Sequence, residues 1–352
     1  MAEVLVTNFN RNYTGVSSTT DNVIKEQVSM HDVHLVGQAL PNAPAPITLA
    51  AARMLSKTPT NDRPFSIWHV RRNTEMRAAI WARDVLRLPI KIVFTSAGQK
   101  RHSAFPRWLI SRMDAVIATS EQAARVVPNV WATIPHGINT DRFFPAEDRA
   151  QAWAKLGYGG EIGFASMGRI RPEKGTDTFV DTMITLLPQM PEAVALMTGR
   201  TAPQHKKFED SLRARVAAAG LSDRILFLGD LPSDRLPEIV RAVSLIVQLP
   251  RHEGFGVVPL EGMASATPFI GTEAGYYKEL SLQGKTGTVL PVGAKPATIA
   301  QAITDMLRPE RYAASVEAGR ALISASFSAR HEAEGIAEIY ERLWSGETAA
   351  KP

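Results

Sequence analysis

Two glutamates, Glu253 and Glu261, stand eight positions apart on either side of a glycine-rich turn. The apolar run 243–249 precedes them and predicts a buried parallel strand, and residues 262–264 predict the body of a short helix. In an open α/β sheet such a strand-to-helix turn lies at the carboxyl edge, where ligands bind. Its backbone N–H groups and the helix dipole favour oxygen acceptors or negative charge. The stretch therefore predicts a site for a sugar or an anion. Taken alone, the two carboxylates also fit a helix cap and a solvated helix position.

A second stretch, Gly168 to Gly175, has one cation near each end, Arg169 and Lys174. Arg169 and Lys174 flank a turn that follows a predicted strand and precedes a helix beginning near Thr176. Two positioned cations beside a helix N-terminus form a site for a diphosphate. The alternative is a surface loop with ordinary basic residues.

Predicted strands and helices alternate through both halves of the chain. Apolar strand-like runs occupy residues 4–9, 65–70, 90–94 and 114–120 in the first half, and 163–167, 194–198 and 225–231 in the second. This alternation is typical of doubly wound parallel sheets in an α/β fold. At 352 residues, the chain is long enough for two domains of ordinary size.

The phrase E-G-F-G-V-V-P-L-E, residues 253–261, closely resembles the E-x7-E signature of the retaining, nucleotide-sugar-dependent glycosyltransferases of family 4. Further phrases of that family's type lie at 114–120, 134–145, 168–175, 225–231 and 286–291. The resemblance implies the GT-B architecture, two Rossmann-like doubly wound parallel-sheet domains facing a central cleft. It places an acceptor-binding domain at 1–150 and a nucleotide-sugar-binding domain at 151–325. A C-terminal helix, 326–352, would cross back to the first domain, because its apolar face would otherwise lack a partner.

The resemblance also implies roles for individual residues. Arg169 and Lys174 would hold the diphosphate, Glu253 would contact the sugar hydroxyls and Glu261 would bind the ribose. The expected donor-binding set is Gly15, Arg169, Lys174, Gly254, Phe255, Gly256 and Glu261. The expected catalytic set is Glu253, Arg169, Lys174 and His102.

His102 enters that set on a departure from the family pattern. Many members place a histidine in the loop after the strand at 90–94, near the transferred sugar. Here that position reads Ser96-Ala97-Gly98, and His102 follows several residues later. His102 also fits a solvated residue beside Lys100 and Arg101, and the choice between His102 and His69 as the histidine of the catalytic centre stays open.

The positive charge is concentrated in the first half of the chain. Residues 1–150 hold 18 Lys and Arg against 12 Asp and Glu, a balance of +6, within a whole-chain net charge of +5. Between residues 71 and 107, nine basic residues face two acidic ones. This segment is either a solvated face or a surface for an anionic lipid or acceptor. On the second interpretation, the acceptor-binding residues are Arg71, Arg72, Lys100 and Arg101.

Composition limits the remaining possibilities. There are no cysteines, no apolar run approaches the length of a membrane span, and the first strand begins almost at once. We therefore expect a cytoplasmic protein. The sequence has no Asp-x-Asp and no histidine or carboxylate cluster with metal spacing, so we expect no cofactor and no essential metal. Arg169 and Lys174 would then neutralise the leaving group.

Within family 4 the chain is most similar to bacterial lipopolysaccharide-core mannosyltransferases. That similarity implies GDP-mannose as donor and an inner-core Kdo sugar on an anionic lipid-linked precursor as acceptor, with peripheral contact at the cytoplasmic face of the inner membrane and no nucleic acid. The alternatives are another GT-B enzyme, such as a UDP- or ADP-glucosyltransferase or an epimerase, and a non-catalytic nucleotide-sugar-binding subunit.

Overall fold

The computed structural model describes residues 2–60, 63–232 and 234–348. The strands are β1 (Val4–Asn8), β2 (Val33–Gly37), β3 (Ser66–Val70), β4 (Ile90–Ser96), β5 (Ala115–Ala118), β6 (Val130–Thr133), β7 (Ile162–Met167), β8 (Ala193–Thr198), β9 (Ile225–Gly229), β10 (Leu245–Gln248), β11 (Phe269–Thr272) and β12 (Gly287–Leu290). The helices are α1 (Gly15–Gln27), α2 (Leu49–Leu55), α3 (Asn73–Ile80), α4 (Ala104–Ser111), α5 (Glu121–Ala124), α6 (Arg149–Leu156), α7 (Thr176–Leu186), α8 (Lys206–Ala218), α9 (Arg235–Ala242), α10 (Val258–Ala264), α11 (Tyr277–Leu280), α12 (Pro296–Met306), α13 (Pro309–Ser326) and α14 (Ala329–Trp344). A π-helical turn, Trp81–Val85, extends α3.

The chain divides into two compact units. Unit 1 comprises residues 1–139 together with 326–352, and unit 2 comprises residues 140–325. Among the described residues, unit 1 has a parallel sheet in the order β2-β1-β3-β4-β5-β6, and unit 2 has one in the order β12-β11-β10-β7-β8-β9. The predicted pair of doubly wound parallel sheets is confirmed.

Both sheets are buried because helices cover both of their faces. The central strands are nearly continuous apolar runs, as expected for parallel sheets that have no solvent-facing side. In unit 1, one face of the sheet packs against α14, whose Ile336, Ile339 and Tyr340 lie in the same core cluster as Val6 and Val93. No helix of the described residues is both long enough and apolar enough to cross a membrane.

Each sheet has one point at which the strand order reverses direction. In unit 1 this point lies between β1 and β3, and in unit 2 it lies between β7 and β10. Loops leaving the carboxyl ends of two such neighbouring strands diverge to opposite faces and leave a crevice, which is where open α/β sheets bind ligands. The topology therefore predicts a ligand-binding crevice at two pairs of loops, those after β1 and β3 and those after β7 and β10.

The division between the units falls at residue 139, whereas the sequence analysis drew its boundary at 150. Helix α6 lies between the division at residue 139 and strand β7, and it packs against α9 of unit 2. Trp153 of α6 is buried, and its ring would collide with a side chain at Gly163 of β7. The segment just before the division, which contains His136 and Gly137, belongs to unit 1. Glu332 of α14 accepts hydrogen bonds from His136 Nδ1 (2.9 Å) and from the Gly137 N–H (2.7 Å).

Candidate active site

Two loops separated by about eighty residues in sequence meet at the switch point of unit 2. The loop after β7 contains Gly175, whose φ is +65°, and a Cβ there would lie 1.8 Å from the carbonyl oxygen of Leu249 at the end of β10. The Arg251 N–H donates to the Glu173 carbonyl (2.9 Å), and the Arg251 guanidinium grips Asp177 of α7 through two bonds of 2.8 and 2.7 Å. The cation-bearing loop and the glutamate-bearing loop thus form one rigid structure.

Lys174 and Glu253 form the centre of this structure. The Lys174 ammonium donates a hydrogen bond to Glu253 Oε2, and the Gly254 N–H donates to Glu253 Oε1 over 3.0 Å. About a fifth of each side chain remains exposed. An ammonium has three donors and a carboxylate has about four acceptor positions, so both groups keep capacity for a ligand.

Arg169 brings a second cation to the same loop. Its guanidinium has a lowered pKa, first because it is partly desolvated and then because Arg171 repels it, while Glu253 and Glu173 oppose that shift. The side chain remains charged at any physiological pH, because the ordinary pKa of an arginine lies far above neutrality. Unit 2 therefore places two cations and one carboxylate around one crevice, an arrangement suited to a phosphate beside a hydroxyl-bearing group.

Two glycines near Glu253, namely Gly256 and Gly275, are required by packing within the protein itself. Gly256 has a φ of +88°, and a Cβ there would lie 2.3 Å from the Tyr277 ring and 3.0 Å from Glu253 Cγ. Gly275 has a φ of +63°, and a Cβ there would lie 2.3 Å from the Phe255 carbonyl oxygen. Close internal packing thus accounts for Gly256, which the family resemblance placed in the donor-binding set. The packing also fixes the position of Glu253.

Glu261 lies in the first turn of α10 and is only 7% exposed. Burial raises the pKa of its carboxyl to about 7, against an opposing effect of Arg142. The group therefore changes charge near neutral pH, where an ordinary glutamate is fully ionised. This property makes its protonation state sensitive to any hydrogen-bond donor that a ligand brings.

Tyr277 is a component of this site that the sequence analysis missed. The side chain is 1% exposed, and its pKa is raised well above the usual value by burial and then by the negative charges of Glu253 and Glu261. Its ring fills the space beside Gly256 and Gly271, while Tyr276 stacks on Phe255 with 4.9 Å between ring centres. The aromatic pair directly after Gly275 was the available signal, but its meaning depended on β11 lying next to β10.

In unit 1, Gly15 and Arg72 lie at the other switch point. Gly15 is the exposed first residue of α1, and a Cβ there would meet nothing within 4 Å. Arg72 follows β3 and donates to Ser17 (2.9 Å), Asn8 (3.0 Å) and Glu75 (2.8 Å). The loops after β1 and β3 are therefore joined through the Arg72 guanidinium.

The expected basic surface between residues 71 and 107 is not one continuous face. Arg71 is only 8% exposed, and its guanidinium nitrogens have no hydrogen-bond partner among the described residues. Asp84 and Asp114 hold Arg83 and Lys91 of this region in ion pairs, and Asp84 also pairs with Arg112 just beyond it. Lys100 and Arg101 are exposed, as the surface interpretation required. The difference arises because Arg71 directly follows β3, a strand that is buried at every position, and a count of charges along the sequence does not register this burial.

The two candidate histidines have different environments. His69 is fully buried, with Nδ1 2.5 Å from the Tyr340 hydroxyl and Nε2 2.7 Å from Thr95 Oγ1, and burial holds its pKa well below the usual value. It ties β3, β4 and α14 together as a structural residue. His102 is half-buried, its ring lies against Gly98, and its Nε2 has no partner among the described residues. Of the two, only His102 has a ring nitrogen left for a ligand.

Two doubly wound parallel sheets, with paired cations and a carboxylate at the switch point of the second, are features of a GT-B glycosyltransferase. The model of the family described as glycosyl transferases group 1 matches residues 148–321. The lipopolysaccharide core biosynthesis mannosyltransferase LpsB of Rhizobium meliloti (strain 1021) is 41% identical over 345 residues, 97% of this chain and 97% of LpsB. LpcC of Rhizobium leguminosarum bv. viciae, also a lipopolysaccharide core biosynthesis mannosyltransferase, is 39% identical over 97% of this chain and 96% of its own length.

A solved structure shows the same fold at low sequence identity. Anabaena Alr3699/HepE in complex with UDP and glucose is 17% identical and superposes with a TM-score of 0.82, covering 97% of this chain and 100% of that chain. The chain belongs to the group 1 glycosyltransferases and is an enzyme of that class. The resemblance drawn from residues 253–261 is confirmed.

No group of three or more His, Cys, Asp or Glu side chains that could hold a metal ion occurs within residues 2–60, 63–232 and 234–348.

Proposed function

We propose that the chain is a retaining mannosyltransferase that moves mannose from GDP-mannose onto an inner-core Kdo sugar of a lipopolysaccharide precursor. The observation that carries the proposal is the Lys174–Glu253 hydrogen bond at the β7/β10 switch point, with Arg169 on the same loop. LpsB and LpcC, both lipopolysaccharide core biosynthesis mannosyltransferases, support mannose as the transferred sugar and the lipopolysaccharide core as the acceptor.

As the bond between the sugar and the diphosphate of GDP breaks in the transition state, negative charge grows on the departing phosphate oxygen. On the proposal, Arg169 and Lys174 neutralise it, and transfer requires no metal. Lys174 can keep its bond to Glu253 while donating to a phosphate oxygen, because the ammonium has further donors. Cations held in position before the reaction cost no reorganisation, which makes them effective.

Glu253 accepts hydrogen bonds from the hydroxyls of the transferred sugar and so fixes the orientation of its anomeric carbon. The acceptor hydroxyl then forms a bond to that carbon on the same face from which the diphosphate departs. Its proton passes to the leaving phosphate oxygen, giving the retained glycoside and GDP. Glu261 binds the ribose, the Gly254–Gly256 amides assist at the sugar and Gly15 approaches the diphosphate. His102 belongs to the catalytic set, since its Nε2 has no partner among the described residues.

Because the acceptor is lipid-linked, the enzyme works at the cytoplasmic face of the inner membrane as a peripheral protein. The exposed cations Lys100 and Arg101 bind the anionic acceptor. Arg71 and Arg72 contribute only through their positions at the carboxyl end of β3, given the buried and hydrogen-bonded states described above.

The test is a transfer assay with a Kdo-bearing lipid acceptor and GDP-mannose, UDP-glucose or ADP-glucose as donor, together with thermal-shift titration by GDP, UDP and ADP. Stabilisation by a ligand follows its affinity through mass action. We expect transfer from GDP-mannose and the largest shift with GDP. A preference for UDP or ADP would replace the proposed donor, and nucleotide binding without transfer to any acceptor would identify a binding subunit. Lys174→Ala should lower transfer, and Lys278→Ala, a change at an exposed lysine of unit 2, is its matched control.

A further inference from the structure

Helix α4 in unit 1 exposes two large aromatic side chains that its core does not need. The inner face of the helix is already filled by Leu109 and Ile110, both 1% exposed or less. Phe105 and Trp108 point the other way, with 52% and 53% of each residue exposed, and their rings stack at 6.1 Å with 17° between planes. A stacked exposed pair at i and i+3 costs solubility and adds nothing to the core. The exposed aromatic pair therefore indicates an interaction site for another molecule or a membrane.

Cations without an acidic partner among the described residues lie near helix α4, and three of them line a depression with Trp108. Lys100, Arg101, Arg107 and Arg125 are exposed, and none of them lies within ion-pair distance of a carboxylate among the described residues. By contrast, the nearby cations Arg83, Lys91 and Arg112 each form an ion pair with Asp84 or Asp114. The sequence has no acidic residue from position 85 to 113. We call Lys100, Arg101, Phe105, Arg107, Trp108 and Arg125 the α4 face.

The α4 face also has a shallow depression of about 480 Å³, lined by Arg101, Arg107, Arg125 and Trp108. Guanidinium groups bind phosphate through paired N–H donors. Three of them around one concavity, beside aromatic rings that prefer the boundary between water and hydrocarbon, match the headgroup layer of a bilayer more closely than a soluble phosphate.

We propose that the α4 face is the surface through which this enzyme docks on an anionic lipid bilayer, with lipid phosphates in the depression and Phe105 and Trp108 inserted between headgroups. The inference rests on the proposed lipid-linked acceptor, to which it adds the location and the chemistry of the membrane contact. Arg107 and Arg125 serve docking and have no part in the donor site of unit 2.

The test is sedimentation of the full-length protein with vesicles of phosphatidylethanolamine and phosphatidylglycerol, compared with vesicles of phosphatidylcholine alone. We expect binding to the anionic vesicles that weakens as salt rises, since exposed charges are screened. Each basic residue near an anionic surface contributes about fivefold in binding, so Arg107→Gln with Arg125→Gln should reduce it roughly 25-fold. Phe105→Ser with Trp108→Ser should reduce it at least tenfold, by roughly the loss of inserted apolar area.

Matched controls separate docking from net charge and from folding. Lys155→Gln with Lys207→Gln removes two exposed cations of unit 2 and should leave vesicle binding within about twofold. Melting temperatures report whether each variant is folded. Transfer to a water-soluble Kdo fragment should be unchanged in the Phe105/Trp108 and Arg107/Arg125 variants, while transfer to the acceptor in vesicles should fall with binding.

Three results would overturn the docking inference: equal binding to phosphatidylcholine, unchanged vesicle binding by both α4-face variants, or loss in the unit 2 control as large as in the α4-face variants. A parent protein that ignores vesicles but forms a complex with another protein through Phe105 and Trp108 would also overturn it. If the parent transfers mannose to the soluble fragment without binding vesicles, only the docking inference fails. If it binds vesicles as expected and transfers nothing, the proposed function fails instead.

Discussion

Replacing Glu261 by glutamine should remove a large pH dependence of stability. Burial raises the pKa of this carboxyl from 4.5 to about 7. Between those values the folded protein holds a proton that the unfolded chain has released, so its free energy of unfolding falls as pH rises. The stabilising contribution is fully present below about pH 4.5 and is lost above about pH 7. A shift of 2.5 pKa units, from 4.5 to about 7, corresponds to about 3 kcal/mol.

Glu261→Gln keeps the shape of the side chain without its charge. Its melting temperature minus that of the parent should therefore be small near pH 4.5 and should increase up to about pH 7. For a unit of 186 residues (325 − 139), about 3 kcal/mol corresponds to roughly 6–12 °C at pH 8. Calorimetry from pH 4.5 to 8 measures the difference, and Glu317→Gln, at an exposed position of α13, controls for the loss of one charge.

Nucleotide binding provides an independent check of the same residue. If the ribose hydroxyls donate to Glu261, a nucleotide favours the ionised form and lowers its pKa. The affinity for GDP should then rise by up to about tenfold per pH unit between pH 5 and 7 and level off above that. Comparison with Glu261→Gln in the same buffers cancels the titration of the phosphates. The proposed raised pKa of Glu261 would be refuted if the difference in melting temperature between the parent and Glu261→Gln stayed constant from pH 4.5 to 8.

The remaining predictions concern the cations and the packing. Lys174→Ala should raise the activation free energy for kcat by about 3–4 kcal/mol, while Lys278→Ala should leave kcat unchanged. A raised donor KM with constant kcat would show instead that Lys174 stabilises the bound donor and the transition state equally. Saturating EDTA should leave transfer largely intact, and loss that Mg²⁺ restores would contradict the role given to the protein cations. Gly256→Ala should lower the free energy of unfolding by roughly 1–3 kcal/mol in urea titrations, because its φ of +88° and the ring beside it leave no room for a Cβ, and a variant as stable as the parent would show that the loop relaxes. Arg71→Glu should lower the melting temperature much more than Arg101→Glu, since only the first change buries a new carboxylate, and equal melting temperatures would count against the buried position of Arg71.

Several features of this enzyme were readable from local pattern. Apolar runs bounded by turns identified the buried strands, because parallel strands covered on both faces have no polar side to display. The spacing of Arg169 from Lys174 and of Glu253 from Glu261 predicted the two loops that meet at the β7/β10 switch point, because each pair lies within one strand-to-helix segment. In such short segments, the positions of side chains follow from the local backbone.

Other features depended on which segments become neighbours in space. Lys174 meets Glu253 only because β7 pairs with β10, and the order of strands in a sheet is set by the packing of the whole unit. The same holds for Tyr277, which reaches the site through the pairing of β10 with β11. Charge counting placed Arg71 and Arg101 on one surface, but the folded unit buries Arg71 at the end of β3 and leaves Arg101 exposed in the loop after β4. The sequence thus determined which residue types stand at which spacing along the chain, and tertiary packing decided which of them meet, because burial and contact are properties of the folded unit.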